Sequence, residues 1–428
     1  MQTLLLAAGR SRRFWPLTEK SLVPIAGKTL LEHQIERLRK GGCGEIILVN
    51  GKHNLKATRA LRLRTMEQKD LQKGMLGALL SALPKVKGPV MVVGGNDVVE
   101  PEAYAALIKA ASRKGVDGAI LAQRVKRYFP GGYLTVKRGK VMDIVEKPGE
   151  GKEPGNLVNI VAHIHNDPSA LLRELRGTSA DRDDGYERAL ATLFKEKNYL
   201  AVPYAGTWQA VKYPWHLLNL LPLFLGEIAA PRVSNKAQIH KTAVIEGNVV
   251  IEDGVRILPH ATVSGPCFIG RGTVIGNGAL VRGSSIGERC VIGYGSEVKG
   301  SVLMDDVWLH MTYAGDSVIG DNVSFGGGCV TGNFRLDEGE ISSMVDGKKA
   351  GTGLAKFGTV VGADTRLGIL VGTNPGVKIG GGSFIAGGTF ITEDVPEGSF
   401  VATKNGKVLA KRNRIAPPHA EARKKYVR

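Results

Sequence analysis

A six-residue ladder of aliphatic side chains in the second half of the chain constrains the fold more than any other feature. Nine of its positions follow one another without a slip: Val233, Ile239, Ile245, Ile251, Ile257, Val263, Ile269, Ile275 and Val281. A period of six matches neither the 3.6 residues of a helical turn nor the two residues of a strand repeat. It matches a solenoid of short parallel strands, in which every sixth side chain stacks on its copy in the next coil. We therefore predict a parallel β-helix over residues 231–410.

The composition indicates how many domains to expect and in which compartment of the cell the chain is found. A length of 428 residues with 43% apolar residues predicts two or three domains with a substantial core. The apolar segment at residues 1–9 precedes its arginines, which is the wrong order for a signal peptide, and no apolar run is long enough to span a membrane. The four scattered cysteines form no metal-binding pattern. We expect reduced thiols and a cytoplasmic protein.

The net charge of +18 predicts anionic partners. Aromatic residues make up only 6% of the chain, and the basic residues are not interleaved with stacking residues, so nucleic acid is not expected as a partner. Small phosphorylated ligands explain the charge, and so does a solvated basic surface.

Residues 1–213 have the alternating strand and helix pattern of an α/β domain. Strands are predicted at Thr3–Ala7, Glu45–Asn50, Val90–Val93 and Gly118–Ala122, and helices at Leu30–Arg39, Met75–Leu83 and Ala103–Ser112. This order predicts a mostly parallel, doubly wound (Rossmann-like) sheet, with ligands at the carboxyl ends of its strands. We expect a linker helix at 214–230 and a mobile basic tail at 411–428.

A phosphate-binding segment follows the first strand. The sequence LAAGRSRRFWPL at residues 6–17 places glycine and arginine in a loop, and Lys20 follows. Exposed backbone N–H groups and fixed positive charge both favour a bound triphosphate. With KSLVPIAGK at residues 20–28, this stretch resembles the signature of sugar-phosphate nucleotidyltransferases.

The resemblance implies a role for each matching residue. Arg13 and Lys20 would act on the phosphates in catalysis. Asp97 would hold Mg²⁺. The resemblance also implies residues that bind the nucleotide or the sugar. These are Gly9, Gly74, Gly132, Glu146 and Asn159.

Two departures from the signature affect this site. Ser11 and Arg12 replace the usual Gly-Thr pair of the loop. Ala210 stands where the family's second metal-binding carboxylate is expected, and Asp183, Asp184 and Glu187 are candidates to replace that carboxylate.

The ladder breaks after Val281, and polar residues that a scaffold does not need begin there. Their order resembles the acetyltransferase half of the bifunctional N-acetylglucosamine-1-phosphate uridylyltransferase/glucosamine-1-phosphate acetyltransferase (GlmU-type) family and its archaeal two-domain relatives, whose members commonly form trimers. The resemblance implies a left-handed β-helix with a sugar-phosphate site at Arg282, Lys299, Tyr313, Asn333 and Lys356. It also implies an acetyl-CoA site at Gly327, Gly368 and Lys404.

His310 has a physical case of its own as a general base. Attack on a thioester requires a neutral amine, whereas an amino sugar is partly protonated near neutral pH. An imidazole that titrates near pH 7 is suited to accept that proton. His310 also lies in a polar run that contains Tyr313 and Asp316.

The sequence therefore predicts a bifunctional enzyme that uses acetyl-CoA to acetylate glucosamine 1-phosphate or a similar sugar. It would also transfer a nucleotidyl group from UTP or dTTP to the sugar 1-phosphate in the presence of Mg²⁺, as a homotrimer. Three alternatives stay open: an acetyltransferase with a degenerate first domain, a nucleotidyltransferase whose repeats are structural or regulatory, and a non-enzymatic scaffold subunit like those of eukaryotic initiation factor complexes. The sequence does not identify the nucleobase or the sugar.

Overall fold

The structure is a computed structural model that describes residues 1–179 and 184–423, and it divides into two compact units. The first comprises Met1–Arg10 and Leu31–Ala210, and the second comprises Ser11–Leu30 and Val211–Arg428. The signature segment, residues 11–30, precedes the predicted boundary at residue 213 but belongs to the second unit. The reason is local contact, since the backbone N–H of Ala26 donates to Ser285 Oγ at 2.8 Å and the Phe268 ring packs against Gly27.

A nine-stranded sheet forms the centre of the first unit. In spatial order its strands are Arg64–Glu67, Ile46–Asn50, Gln2–Leu6, Val90–Gly94, Leu157–His165, Gly118–Arg124, Tyr199–Tyr204, Lys140–Glu146 and Gly132–Lys137. The first four run parallel, as predicted, but Leu157–His165 is antiparallel to both of its neighbours. This strand is an antiparallel exception within the predicted fold, and the sequence did not indicate it because an apolar run does not encode strand direction. A separate antiparallel pair joins Asp97–Val99 to Trp208–Ala210.

Helices cover this sheet and bury their apolar stripes against it. Their bounds are Leu30–Lys40, Leu55–Thr58, Gly74–Ala82, Pro101–Ala111, Pro168–Gly177 and Gly185–Glu196, with short 3₁₀ turns at Arg59–Leu61, Leu71–Lys73 and Leu83–Lys85. Proline opens Pro168–Gly177, and the Asp167 carboxylate accepts hydrogen bonds from the Ser169 and Ala170 N–H groups. These features fix where this helix begins.

The ladder forms a parallel β-helix with three sheets, as predicted. One sheet contains Arg232–Val233, Val249–Ile251, Cys267–Ile269, Ser285–Ile286, Val302–Leu303, Val318–Ile319, Thr359–Val361 and Val377–Ile379. The second contains Gln238–Ile239, Arg256–Ile257, Val274–Ile275, Val291–Ile292, Trp308–Leu309, Ser324–Phe325, Arg366–Leu367, Phe384–Ile385, Ser399–Lys404 and Lys407–Arg412. The third contains Val244–Glu246, Thr262–Ser264, Leu280–Arg282, Glu297–Lys299, Tyr313–Gly315, Val330–Thr331, Gly372–Thr373 and Phe390–Ile391.

Strand register explains the change of phase in the ladder. The first coils pair Val233 with Ile251 and Ile251 with Ile269, three rungs apart, whereas the next coil pairs Ile269 with Ile286 and is one residue shorter. Rungs from Ile251 onward are buried, while Val233 is exposed at the open end of the solenoid. All-parallel coils with buried rungs are the arrangement expected of a left-handed β-helix of the hexapeptide-repeat type.

Three further segments complete the second unit. The signature segment contains 3₁₀ turns at Arg12–Phe14 and Lys20–Leu22 and a small hairpin of Pro24–Ile25 with Lys28–Thr29. The predicted linker helix spans His216–Gly226, and the insertion after Asn333 forms a hairpin of Ile341–Val345 with Lys348–Leu354. In the described parts of both units, no helix is long and apolar enough to cross a membrane.

The described part of the basic tail, residues 411–423, is held by contacts where mobility was expected. Lys411 and Arg412 belong to the strand Lys407–Arg412, which pairs with Ser399–Lys404, and a short helix spans Ala420–Arg423. The Arg423 guanidinium is buried 4.2 Å from the centre of the Trp308 ring. Cation–π contact and strand pairing therefore fix this segment; Lys424 and Lys425 lie outside the described residues.

Candidate functional site

Parallel stacking brings the residues predicted for acetyl transfer together on the third sheet of the β-helix. Arg282 pairs with Lys299, Lys299 with Gly315, and Glu297 with Tyr313 in consecutive coils. Adjacent strands lie about 4.8 Å apart, so side chains far apart in sequence become neighbours. The repeat thus serves as the scaffold of the site.

Asp316 forms the centre of this cluster. Its carboxylate accepts hydrogen bonds from Lys299 Nζ at 2.9 Å and from Asn333 Nδ2 at 2.5 Å, and Asn333 Nδ2 also donates to the Tyr313 hydroxyl at 3.0 Å. Two predicted residues, Lys299 and Asn333, thus share one carboxylate to which sequence reasoning assigned no role, and Tyr313 is linked to it through Asn333. Gly315 makes the cluster possible, because a Cβ there would lie 2.4 Å from the Tyr313 hydroxyl.

Cationic side chains flank the cluster on neighbouring strands. Arg282 Nε donates to Glu297 Oε1 at 3.0 Å, and the arginine side chain stays partly exposed. Lys356 is brought beside Asn333 by an antiparallel bridge between Phe334 and Lys356, and its ammonium group lies 5.8 Å from the centre of the Phe334 ring. Together with Lys299, these groups make the cluster cationic, and such charge favours an anionic ligand.

His310 lies in the turn that follows Trp308–Leu309. Its backbone N–H donates to Phe325 O at 3.2 Å, and its carbonyl accepts from Thr312 Oγ1 at 3.0 Å. The imidazole is exposed and forms no hydrogen bond within the described ranges. The main chain therefore positions His310 while its ring is accessible to a substrate amine.

The residues predicted for acetyl-CoA differ in their surroundings. Gly327 is open, because the nearest atom to a Cβ there would be the His310 carbonyl oxygen at 3.9 Å. Gly368 is tightly packed, because a Cβ there would lie 2.6 Å from the Gly387 nitrogen, so its lack of a side chain lets adjacent coils approach. Lys404 is exposed in the final hairpin, opposite Lys407.

In the first unit, Asp97 and Ala210 are direct partners in the antiparallel pair. The Trp208 indole N–H donates to Asp97 Oδ1 at 2.9 Å, and a Cβ on Gly94 would lie 3.0 Å from Asp97 Oδ2. Ala210 thus occupies the position from which a second carboxylate would face Asp97. In the described ranges, no group of three or more His, Cys, Asp or Glu side chains is arranged to hold a metal.

The predicted sugar-binding residues lie on three adjoining strands of the first unit. Glu146 pairs with Gly132, and a Cβ on Gly132 would lie 3.2 Å from Glu146 Oε2. Asn159 follows Val158 in its strand. Val158 pairs with Tyr133, and Tyr133 follows Gly132. The structure therefore brings these three residues into one region, with Lys147 Nζ 3.0 Å from Glu146 Oε1.

The predicted nucleotide-binding glycines suit close backbone approach. Gly9 has no atom within 4 Å of the position a Cβ would occupy. Gly74 begins the helix Gly74–Ala82 with a φ of +50°, and its carbonyl accepts from Gln68 Nε2 at 2.8 Å. Asp184 and Glu187, named as substitutes for the missing carboxylate, lie at and just after the start of helix Gly185–Glu196; Asp183 lies outside the described residues.

In the second unit, Arg13 is exposed in its 3₁₀ turn, and Lys20 Nζ donates to the Val211 carbonyl at 3.2 Å. Ser11, which replaces a signature glycine, has a φ of +48°. That left-handed conformation explains why glycine is usual there. The Trp15 ring lies 5.5 Å from Lys378 Nζ, which also forms an ion pair with Asp394 at 2.6 Å.

Buried ionisable residues that sequence reasoning missed lie beside Asn159. His163 Nε2 is 2.5 Å from Asn159 Oδ1, and His163 Nδ1 is 2.7 Å from the Tyr186 hydroxyl. Burial lowers the pKa of both His163 and His165, the latter to about 3. The sequence signal for this group is a pair of histidines two residues apart in an apolar strand. The sequence does not identify the hydrogen-bond partners of these histidines.

Comparison with known proteins shows the family of this chain. A family model described as MobA-like NTP transferase domain matches residues 3–238, and one described as GMPPB C-terminal domain matches residues 228–345. The bifunctional protein GlmU of Methanococcus vannielii is 30% identical over 96% of this chain and 100% of its own length. The chain belongs to the GlmU family of two-domain nucleotidyltransferases.

A second relative of this GlmU-family chain agrees with that assignment, and one solved structure is similar to part of the chain. A protein of Sulfurisphaera tokodaii named bifunctional sugar-1-phosphate nucleotidylyltransferase/acetyltransferase is 32% identical over 94% of this chain and 99% of its own length. The solved structure of apo-UDP-glucose pyrophosphorylase covers 53% of the chain, and 98% of its own, at 20% identity and a TM-score of 0.45. The family expected from the sequence signature is confirmed.

Proposed function

We propose that this chain catalyses two reactions on amino-sugar phosphates. The β-helix acetylates glucosamine 1-phosphate, or a similar sugar, with acetyl-CoA. The other reaction transfers a nucleotidyl group from UTP or dTTP to the N-acetylated sugar 1-phosphate, which gives UDP-N-acetylglucosamine (or its dTDP counterpart) and pyrophosphate. The observation that carries the proposal is the cluster in which Asp316 joins Lys299, Tyr313 and Asn333, with the free imidazole of His310 in the same polar run.

Acetyl transfer requires a neutral amine at the thioester carbonyl. His310 accepts the ammonium proton, and the amine nitrogen forms a bond to the carbonyl carbon. The C–S bond then breaks, the nitrogen gives up a second proton to the thiolate, and CoA leaves as its thiol. Arg282, Lys299 and Lys356 bind the sugar phosphate, while Tyr313 and Asn333 contact the sugar. Gly327 leaves room beside the His310 carbonyl for the pantetheine arm, and Gly368 and Lys404 belong to the same cofactor path.

Nucleotidyl transfer is an in-line displacement at the α-phosphorus. A phosphate oxygen of the sugar 1-phosphate forms the new P–O bond, and the bond to pyrophosphate breaks. Arg13 and Lys20 neutralise charge on the triphosphate, whereas Gly9 and Gly74 let the nucleotide approach the backbone. Gly132, Glu146 and Asn159 bind the sugar.

Asp97 is the residue that would hold Mg²⁺. A single protein carboxylate fits this ion, which is commonly bound through one or two carboxylates together with substrate phosphates and water. Bound there, the ion would neutralise developing charge on the phosphates. The Trp208 indole N–H orients the carboxylate for this task.

The acetyl-transfer proposal is tested by replacing the base. In a His310→Ala variant we expect acetyl-CoA consumption with glucosamine 1-phosphate to fall by about 10²- to 10⁴-fold, the usual contribution of a general base. His240→Ala, which removes another exposed histidine of the β-helix, is the matched control and should keep full activity. Full activity of His310→Ala would overturn the assignment of the base.

A second candidate follows from Ala210. Alanine faces Asp97 in the strand pair, at the position expected for a second metal-binding carboxylate. The second candidate is therefore a monofunctional acetyltransferase whose first unit only binds sugar phosphate. Pyrophosphate release from UTP or dTTP with N-acetylglucosamine 1-phosphate decides between them. Release supports the bifunctional proposal, and its absence with every NTP supports the monofunctional one.

We also propose that the protein is a cytoplasmic homotrimer formed through the β-helix. Large apolar side chains near the predicted acetyl site are 49–64% exposed; they are Met311, Val330, Ile369, Leu370 and Phe390. Strand pairing places Val330, Gly372 and Phe390 in consecutive coils. A contiguous exposed apolar surface of this kind favours association with another copy. Light scattering should give three times the chain mass of 45.7 kDa.

A further inference from the structure

A chain of four buried side chains leads to Asn159 through the core of the first unit. The Tyr199 hydroxyl lies 2.8 Å from His165 Nδ1, and His165 Nε2 lies 3.1 Å from the Tyr186 hydroxyl. The Tyr186 hydroxyl lies 2.7 Å from His163 Nδ1, and His163 Nε2 lies 2.5 Å from Asn159 Oδ1. We name Tyr199, His165, Tyr186 and His163 the relay; each is at most 2% exposed.

The relay has one direction in which every donor is satisfied. If the Tyr199 O–H donates to His165 Nδ1, then His165 Nε2–H donates to Tyr186, Tyr186 donates to His163 Nδ1, and His163 Nε2–H donates to Asn159 Oδ1. In the opposite direction the Tyr199 O–H would need another acceptor. Within the described residues its hydroxyl contacts only His165, so the opposite direction leaves a buried donor unpaired.

Local backbone features hold the relay in place. Gly118 is essential for Tyr199, because a Cβ at residue 118 would lie 2.1 Å from the Tyr199 ring. A bulge in the pairing of Leu157–His165 lies between Asn159 and His163. It lets His163 Nε2 reach the carboxamide four residues earlier in the same strand.

The direction of the relay determines which amide atom Asn159 presents. His163 occupies Oδ1, while Nδ2 has no hydrogen-bond partner within the described ranges. The strand register puts Asn159 beside Gly132 and Glu146. The free amide group is therefore a donor at the place where a sugar hydroxyl or phosphate oxygen is expected.

We propose that His163 is a positioning residue, and that the relay from Tyr199 holds the Asn159 carboxamide with its NH₂ group directed at the sugar 1-phosphate. This inference rests on the proposed nucleotidyl transfer, in which Asn159 binds the sugar. Tyr199 sets the direction at the far end of the relay and contacts no substrate.

The test removes only the terminal donor. In Tyr199→Phe the ring is kept and the hydroxyl is lost, so Asn159 is free to flip. We expect the KM for N-acetylglucosamine 1-phosphate to rise about three- to tenfold, the effect of losing one oriented hydrogen bond. We expect kcat and the KM for the nucleotide to be nearly unchanged. Phe194→Leu is the matched control, because Phe194 packs on the Tyr199 ring at 5.1 Å without a hydrogen bond.

A second measurement does not depend on activity. Nitrogen-15 NMR of the histidine rings should show both His163 and His165 neutral and protonated on Nε2 in the wild type. In Tyr199→Phe, His165 should lose this fixed tautomer. Protonation of both rings on Nδ1 in the wild type would overturn the direction of the relay.

The two measurements separate the possible failures. An unchanged sugar KM in Tyr199→Phe, with an active wild type, would overturn the positioning role alone. An equal rise in Phe194→Leu would assign the effect to packing and would also overturn that role. Absence of pyrophosphate release by the wild type would overturn the proposed nucleotidyl transfer, while the NMR result would still decide the direction of the relay.

Discussion

At the scale of single residues, Asp316 holds the predicted acetyl-transfer cluster together. It compensates the charge of Lys299 and orients Asn333, yet these partners are 17 residues away on either side. A solenoid places residues one coil apart in contact, and the required register depends on coil lengths that change after Ile269. The cationic and amide residues were predicted from the family resemblance, whereas the acid that holds them was not.

Replacing Asp316 tests its role. In Asp316→Asn, Lys299 loses its ion-pair partner, and both side chains of this pair are about one-fifth exposed. We expect the acetyl-transfer KM for glucosamine 1-phosphate to change at least fivefold and the free energy of unfolding to fall by about 1–3 kcal/mol. Asp337→Asn, which breaks the exposed pair with Arg335, should leave the free energy of unfolding nearly unchanged, because solvent screens an exposed ion pair. Equal effects in the two variants would contradict a special role for Asp316.

Ala210 permits a gain-of-charge experiment. An aspartate at this position would face Asp97 across the strand pair. Without Mg²⁺ the two carboxylates repel each other, so we expect Ala210→Asp to lower the melting temperature and Mg²⁺ to restore it. Ala210→Asn has nearly the same shape without the charge and should show a weaker Mg²⁺ response. If Mg²⁺ stabilises the two variants equally, the carboxylate added at residue 210 does not share a metal ion with Asp97.

At the scale of elements, the sequence predicted the type of most strands and helices and the parallel direction of many strands, but not the antiparallel exceptions or the partners of each strand. The alternation of apolar and polar residues and the six-residue period predict which side chains are buried. This prediction holds for the rungs from Ile251 onward. The antiparallel run of Leu157–His165 and its bulge have no such signal. The relay along this strand was missed for the same reason, because Tyr186 and Tyr199 come from other elements.

The buried histidines of that strand predict a pH dependence of stability. Burial keeps His163 and His165 neutral in the folded chain, with the pKa of His165 lowered to about 3, whereas the unfolded chain takes up protons below about pH 6.5. The free energy of unfolding is therefore highest above pH 6.5 and falls below it, by up to about 1.4 kcal/mol per pH unit for each imidazole.

Urea unfolding of the first unit at pH 7.5 and pH 5.5 measures this effect. The groups that face these two imidazoles are Asn159, Tyr186 and Tyr199, with Glu187 next to Tyr186 in its helix. The wild type and the control His240→Ala should both lose stability at the lower pH. Stability that is equal or greater at pH 5.5 would show that the two imidazoles become protonated in the folded state.

At the scale of the whole molecule, the sequence predicted an α/β domain followed by a β-helix, but not the division into units. The signature segment belongs with the β-helix through contacts such as Ala26 with Ser285, which are 259 residues apart. No periodic pattern in the sequence predicts a contact between two residues so far apart in the chain. The family resemblance was predictable because it depends on short motifs that are read directly from the chain.

The central claim is that one chain carries out both reactions. Its most direct test is to incubate the protein with glucosamine 1-phosphate, acetyl-CoA, UTP and Mg²⁺, and to identify the products by mass spectrometry. We predict UDP-N-acetylglucosamine and pyrophosphate when acetyl-CoA is present, and loss of that product in His310→Ala unless N-acetylglucosamine 1-phosphate is supplied. Accumulation of N-acetylglucosamine 1-phosphate without any nucleotide sugar, with either UTP or dTTP, would contradict the claim.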